Sequence, residues 1–360
     1  LGLSSMQKGL MVAVPPLGGA GFRLLLGPLS DRMGIKRLGL TTLALTLVPL
    51  LWAATLATTF TQVLGVGLLL GVAGASFAVA LPLASRWYPP EHQGLALGIA
   101  GAGNSGTVIA ALAAPRLAEH VGWHGTFALA MIPVSLAWVA FAILAKEPPR
   151  AATAAPSGGS LSLLRDVDPR WLCGFYLVTF GAFVGLSGYL PIFFVDRFGL
   201  SKVAAGGFAA LCAVAGSLLR PVGGVLADRV GGTRVLATVL TVAAGAAALL
   251  ATLPVLGVTV ALLFVLLGVL GMGNGAVFQL VGRRVPERVG AMTGLVGAAG
   301  GFGGFLLPFG FGWLASSTGT FAAGFAVLAN VAALTALAVT GRDRAWSAST
   351  RPAGLAEAVA

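Results

Sequence analysis

Residues 216–232 read GSLLRPVGGVLADRVGG, and residues 21–34 read GFRLLLGPLSDRMG. Each stretch places an arginine, Arg220 or Arg23, in apolar surroundings eight residues before an Asp-Arg pair, with no acid beside it. The segment starting at Phe22 overlays the one starting at Leu219 at an offset of 197. Arg23 then matches Arg220, Gly27 Gly224, Asp31 Asp228, Arg32 Arg229, Gly34 Gly231 and Arg37 Arg234. Residues 93–103 (QGLALGIAGAG) overlay 289–299 (VGAMTGLVGAA) at an offset of 196. The chain is a repeat of two halves.

Only 9% of the 360 residues are charged and 57% are hydrophobic, where a soluble domain carries roughly 25% charged residues. A membrane span needs about 20 mostly apolar residues. Eleven such runs are legible, near 9–29, 37–58, 62–85, 94–117, 125–145, 171–194, 203–226, 234–253, 257–281, 289–314 and 321–341. Runs this long and uniform satisfy their backbone as helices, so an all-α membrane protein is expected. Residues 146–170, rich in Pro, Gly and Ser, read as a flexible linker between an N-terminal half (1–145) and a C-terminal half (171–342), with a tail at 343–360. A half-chain repeat in such a protein points to a transporter with its site between the halves. One span precedes the helix of Arg220 and none precedes that of Arg23, so a first helix is expected to be absent from this sequence of a twelve-helix protein.

The net charge of +11 is not a nucleic-acid footprint. Sixteen of the 22 basic residues fall in the loops and tail on one side, four on the other. That asymmetry puts the sixteen, with the C-terminus, in the cytoplasm. The two that remain are Arg23 and Arg220, each about 12 Å along a helix from its Asp. A charge at that depth costs at least about 2.5–3.5 kcal/mol and marks a functional site by default. With every acid in a loop, tail or helix end, a bound anion is the simple counter-ion, and a guanidinium fork suits a planar oxyanion. The competing reading is that both arginines bond backbone carbonyls or snorkel. Cys173 and Cys212 lie in or beside spans and imply no disulfide framework. GAGNSG (101–106) has no strand before it, so it is not a nucleotide loop. No metal-ligand cluster or nucleophile–base pair is visible, so neither a cofactor nor an enzyme is expected.

The loops GPLSDRMGIKR and GVLADRVGGTR resemble the signature of the major facilitator superfamily, a fold of two pseudo-symmetric six-helix halves. Within it, GIAGAGNSGTVIAALAAP (98–115) and GLVGAAGGFGGFLLPFGFG (294–312) are similar to the glycine-rich signatures of the nitrate/nitrite porter family. The resemblance implies nitrate and nitrite as substrates, with Arg23 and Arg220 where that family places its anion-binding arginines. Asp31, Arg32, Asp228 and Arg229 would brace the cytoplasmic gate, or merely stop helices. Gly101, Gly103, Gly106, Gly297, Gly300 and Gly301 would let helices approach closely. Asn104 and Asn274 can donate to an oxyanion, or bond between helices. Phe77 stands where the family has an aromatic on its fourth helix. On the seventh, Leu186 and Leu190 stand where an aromatic pair is usual, leaving Tyr189 as the candidate; core packing is the alternative for both aromatics. The protein is expected as a monomer in the inner membrane. The rival functions are another small anion (cyanate, an organic acid or a phosphate ester) on the same fold, and a non-transporting membrane receptor or fragment.

Overall fold

The structure is a computed structural model that describes residues 2–77, 79–80, 83, 87, 102–147, 160–285 and 288–349. Among the described residues every regular element is helical. The helices are α1 (Ser5–Met33), α2 (Ile35–Thr55), α3 (Phe60–Ala75), α4 (Gly106–Leu144), α5 (Val167–Phe198), α6 (Lys202–Val230), α7 (Gly232–Leu250), α8 (Leu256–Arg284), α9 (Val289–Thr318) and α10 (Ala322–Ser349), with 3-10 turns at Ala102–Ser105 and Ser160–Arg165.

Nine helical stretches among the described residues are long and apolar enough to cross a membrane. One of them, Gly103–Leu144, holds two of the expected spans. It is broken at Gly122, whose φ of 69° and ψ of 175° are not helical. Past the break, the indole of Trp138 donates to the Leu40 carbonyl at 3.1 Å and His124 lies 3.0 Å from the Ala57 carbonyl, tying this stretch to α2 and its exit. The outside of the bundle is apolar: Leu218 and Leu337 are 67% and 68% exposed, which suits lipid and not water.

The two halves repeat in detail. Gly34 (φ 84°) turns α1 into α2, and Gly231 (φ 100°) turns α6 into α7, in a backbone region that side chains avoid. A glycine cannot cap the helix that follows, so another residue does. The Glu147 carboxylate accepts from the N–H groups of Ile35 at 2.6 Å and Lys36 at 2.9 Å, covering the orphan donors and positive end of α2. Its counterpart 196 residues later, Asp343, accepts from the hydroxyl of Thr233 in the first turn of α7 at 2.5 Å.

The main core lies in the second half, where Leu172, Phe175, Leu186, Phe194, Leu236, Leu267 and Val296 are buried. The linker departs from the expected free tether at its end. Residues 160–165 form a 3-10 turn, and Leu163 is buried in the second-half core. Apolar burial is the reason: SLSLLR offers a leucine that α5 and α9 can cover.

Between the halves, α1 runs along α9, and α4 meets α6. The contacts are backbone-close. A Cβ on Gly9 would stand 2.9 Å from Gly312 Cα, and one on Gly206 2.9 Å from the Pro115 ring. At the end of the bundle away from Asp228, Lys8 bonds Asp196 at 2.8 Å across the seam.

Candidate functional site

Small residues on α9 let α1 and α5 press against it, and this brings the two arginines into one place. Arg23 leaves α1 and Arg220 leaves α6; each guanidinium carbon lies 5.8 Å from the centre of the Phe180 ring on α5. Phe180 is stacked on Tyr176, one turn earlier, with ring centres 4.8 Å apart and planes 7° apart. Phe278 of α8 meets the Tyr176 ring edge-on and lies 5.3 Å from the Arg220 guanidinium carbon. Phe77 lies 5.9 Å from the same guanidinium carbon. The result is two cations among four aromatic rings, and no carboxylate is bonded to either among the described residues.

The arginines are not equivalent. Arg23 donates from Nε and Nη2 to the Gly74 carbonyl at 3.3 and 2.8 Å, and from Nη1 to the Gly297 carbonyl. Backbone carbonyls thus take up its donors, as the competing sequence reading had it for both arginines. Arg220 donates from Nη2 to the Tyr176 hydroxyl at 3.0 Å, while its buried Nη1 has no partner among the described residues. That is a donor held without a mate in a dry place, where a buried charged group without its hydrogen bonds is costly.

Other expected residues fall around this centre. Gly297 supplies the carbonyl for Arg23, and Gly300 faces Tyr176 and Phe180 so closely that a Cβ would stand 2.6 Å from Tyr176 Cδ1. Gly301 abuts Ala20 and Pro16 of α1. Asn104 sits in the 3-10 turn that touches α6, and its buried Nδ2 has no partner among the described residues. Asn274 is 1% exposed with its Oδ1 likewise unpartnered, one turn from Phe278 on α8. Gly103 and Gly106 have open space where a side chain would be. Asp228 and Arg229 are exposed in the last turn of α6. Gly101 and the side chains of Asp31 and Arg32 lie outside the described residues.

Tyr189 is not brought to the arginines. It is thirteen residues, or about 20 Å, along α5 from Tyr176, where it packs on Phe311 and Phe321. Beside the arginines stand Tyr176 and Phe180, ten residues before Leu186 and Leu190, and the two leucines are fully buried core. Sequence reasoning missed Tyr176, Phe180 and Phe278. The signal was the aromatic i, i+4 pair itself, the spacing that stacks two rings on one helix face.

A family model described as Major Facilitator Superfamily matches residues 1–308. The chain belongs to that superfamily. Its relatives include the probable nitrate/nitrite transporter NarK2 of Mycobacterium tuberculosis (strain ATCC 25618 / H37Rv), 38% identical over 314 residues that cover 86% of this chain and 80% of the relative. The nitrite extrusion protein of Bacillus subtilis (strain 168) is 32% identical, over 92% of this chain and 83% of the relative. The probable nitrate/nitrite antiporter NarK1 of Thermus thermophilus is 33% identical, over 93% and 83%. Among solved structures, a bacterial homolog of the human lysosomal transporter Spinster, in an inward-facing and occupied conformation, aligns with a TM-score of 0.68. It covers 94% of this chain and 87% of that one at 19% identity, a likeness of fold. This facilitator therefore keeps its paired arginines where its two halves meet.

Proposed function

We propose that this facilitator carries nitrate and nitrite across the cell's inner membrane by alternating access, with its C-terminus in the cytoplasm, and that it works as an exchanger. The observation that carries the reading is the Arg23–Arg220 pair around Phe180, with a free donor on Arg220 and no carboxylate bonded to either arginine among the described residues. Its three relatives named for nitrate or nitrite support the choice of anion.

In this reading Arg220 is the primary ligand. Its Nη2 is oriented by Tyr176, and Nη1 donates to an oxygen of the anion. Phe77, Phe180 and Phe278 give a flat anion flat walls, and Asn104 adds a neutral donor. Arg23 supplies the second charge and a tie. Gly74 belongs to the first half and Gly297 to the second, so its hydrogen bonds span the seam. Switching sides requires the guanidinium to leave at least one of these carbonyls. An anion oxygen replaces the lost acceptor and offsets the charge repulsion between the arginines. The empty carrier has no such replacement and stays put, which favours exchange over one-way passage.

The test is nitrate entry into liposomes holding the purified protein, with and without internal nitrite, at matched pH. Acceleration by internal nitrite, indifferent to an imposed pH gradient, supports exchange. Entry driven by the pH gradient with internal nitrite irrelevant refutes it. Entry of cyanate or phosphate with neither nitrate nor nitrite competing refutes the choice of anion.

A further inference from the structure

Hydroxyls within the helices of this protein follow a habit. Thr42, Thr46, Thr179 and Ser187, all buried, each donate to the carbonyl four residues back. This back-bond is the ordinary way for a serine or threonine to satisfy its proton inside a helix. Ser217 departs from it. It is 8% exposed on α6, and its buried Oγ has no partner among the described residues. Leaving a hydroxyl unpaired in a dry place forfeits a hydrogen bond it could have made to its own helix.

Its position says what the hydroxyl faces. Gly206 of α6 lies against Ala111 and Pro115 of α4. Ser217 is eleven residues on, just over three whole turns, and so lies on the same stripe of α6, the one facing the first half. The 3-10 turn 102–105 also touches α6. Ala111 and Pro115 are already opposite the start of α6, so that turn must lie further along it, toward Ser217. Asn104, with its unpartnered Nδ2, is in this turn. Arg220 is three residues beyond Ser217 on the same helix. That i, i+3 spacing sets the two side chains next to each other on one face of α6, so the unpartnered Nη1 of Arg220 and the Ser217 hydroxyl rise from the same face.

We propose that Ser217 is a third anion donor and that it sets a preference for nitrate over nitrite. The inference rests on the reading of this site as a nitrate and nitrite site. Arg220 Nη1, Asn104 Nδ2 and Ser217 Oγ make three free donors on one seam. Nitrate has three oxygens to receive them; nitrite has two, which Arg220 and Asn104 can serve without Ser217. The serine hydroxyl is neutral, so it reads oxygen count and shape, not charge.

The experiment compares the half-saturating concentrations of nitrate and nitrite for counterflow in liposomes containing wild type, S217A or S217T, together with the melting temperature of each protein. S217A should weaken nitrate about tenfold, the lower end for a lost hydrogen bond to a charged group, and nitrite less than about threefold; S217T, which keeps the hydroxyl, should restore the wild-type ratio. S217A should melt no lower than wild type, since the hydroxyl it removes has no partner to lose. An unchanged nitrate-to-nitrite ratio in S217A, or a markedly lower melting temperature, overturns the proposal. If wild type carries neither anion, the parent reading has failed. If wild type carries both and the ratio does not move, the assignment of Ser217 alone has failed.

Discussion

Gly300→Ala adds one carbon at the point where α9 supports the aromatic floor of the site. That carbon would stand 2.6 Å from Tyr176 Cδ1, 2.8 Å from Tyr176 Cε1 and 2.8 Å from Phe180 Cδ1. Carbon atoms rest at about 3.5–4.0 Å, so both rings must retreat by roughly 1 Å. Overpacking of this kind costs about 1–3 kcal/mol, which the buried second-half core can absorb without unfolding. The larger consequence is geometric: Tyr176 holds Nη2 of Arg220, and a misplacement of about 1 Å at a reacting or binding centre can cost about a hundredfold. Gly297→Ala, one turn away on the same helix, is the matched control. Its Cβ would stand 3.6 Å from Arg23 Cδ, an ordinary contact. The assay is nitrate counterflow at equal protein insertion. Transport should fall by at least tenfold in Gly300→Ala and stay within about twofold in Gly297→Ala. Near-normal transport by Gly300→Ala would refute the claim that the Tyr176–Phe180 floor positions Arg220.

Three further outcomes are expected. Arg220→Lys should lose most nitrate affinity, by tenfold or more in counterflow, because an ammonium keeps the charge but not the fork that serves Tyr176 and the anion together. Tyr176→Phe removes the hydroxyl that orients Arg220 Nη2 and should raise the half-saturating nitrate concentration about fivefold to tenfold, with insertion and melting little changed. Gly34→Ala places a side chain at φ 84° and 3.0 Å from the Glu147 carboxylate; a loss of about 1–3 kcal/mol, read as a lower melting temperature in detergent, should follow, and an unchanged melt would mean the α1–α2 turn is not held by this glycine.

The repeat between residues 22–38 and 219–236 carried most of the architecture. A buried arginine and a glycine turn recurring at half-chain spacing leave few folds open, and both arginines do come together at Phe180. The apolar runs gave the helices because lipid demands length and composition, both visible in one dimension. What stayed hidden depended on rotation about helix axes and on partners far along the chain. Tyr176 and Tyr189 are on the same helix, and only the packing of α5 against α9 and α8 decides which one meets the arginines. The Arg23 bonds to Gly74 and Gly297 were invisible for a similar reason: a carbonyl has no side-chain letter, so the acceptors leave no trace in the sequence. Glu147 reads as one more charge in a linker until the structure places it at the start of α2.

Glu147 and Asp343 have a mechanical consequence. Glu147, just past the last helix of the first half, bonds the start of α2, and Asp343, in the last helix of the second half, bonds the start of α7, so each half is buttoned to itself. The seam between the halves is made differently, with glycine backbones at Gly9 and Gly312 and a partly exposed ion pair at Lys8 and Asp196. An exposed ion pair contributes only about 0–1 kcal/mol, and along the same seam Pro16 and Ala20 of α1 lie directly on Gly304 and Gly301 of α9. Carboxylates on helix starts thus hold each half together, while glycine-lined faces join one half to the other. Such a face can slide with little to unlock, and the Arg23 guanidinium, reaching from one half to a carbonyl of the other, is the polar tie that a slide must break.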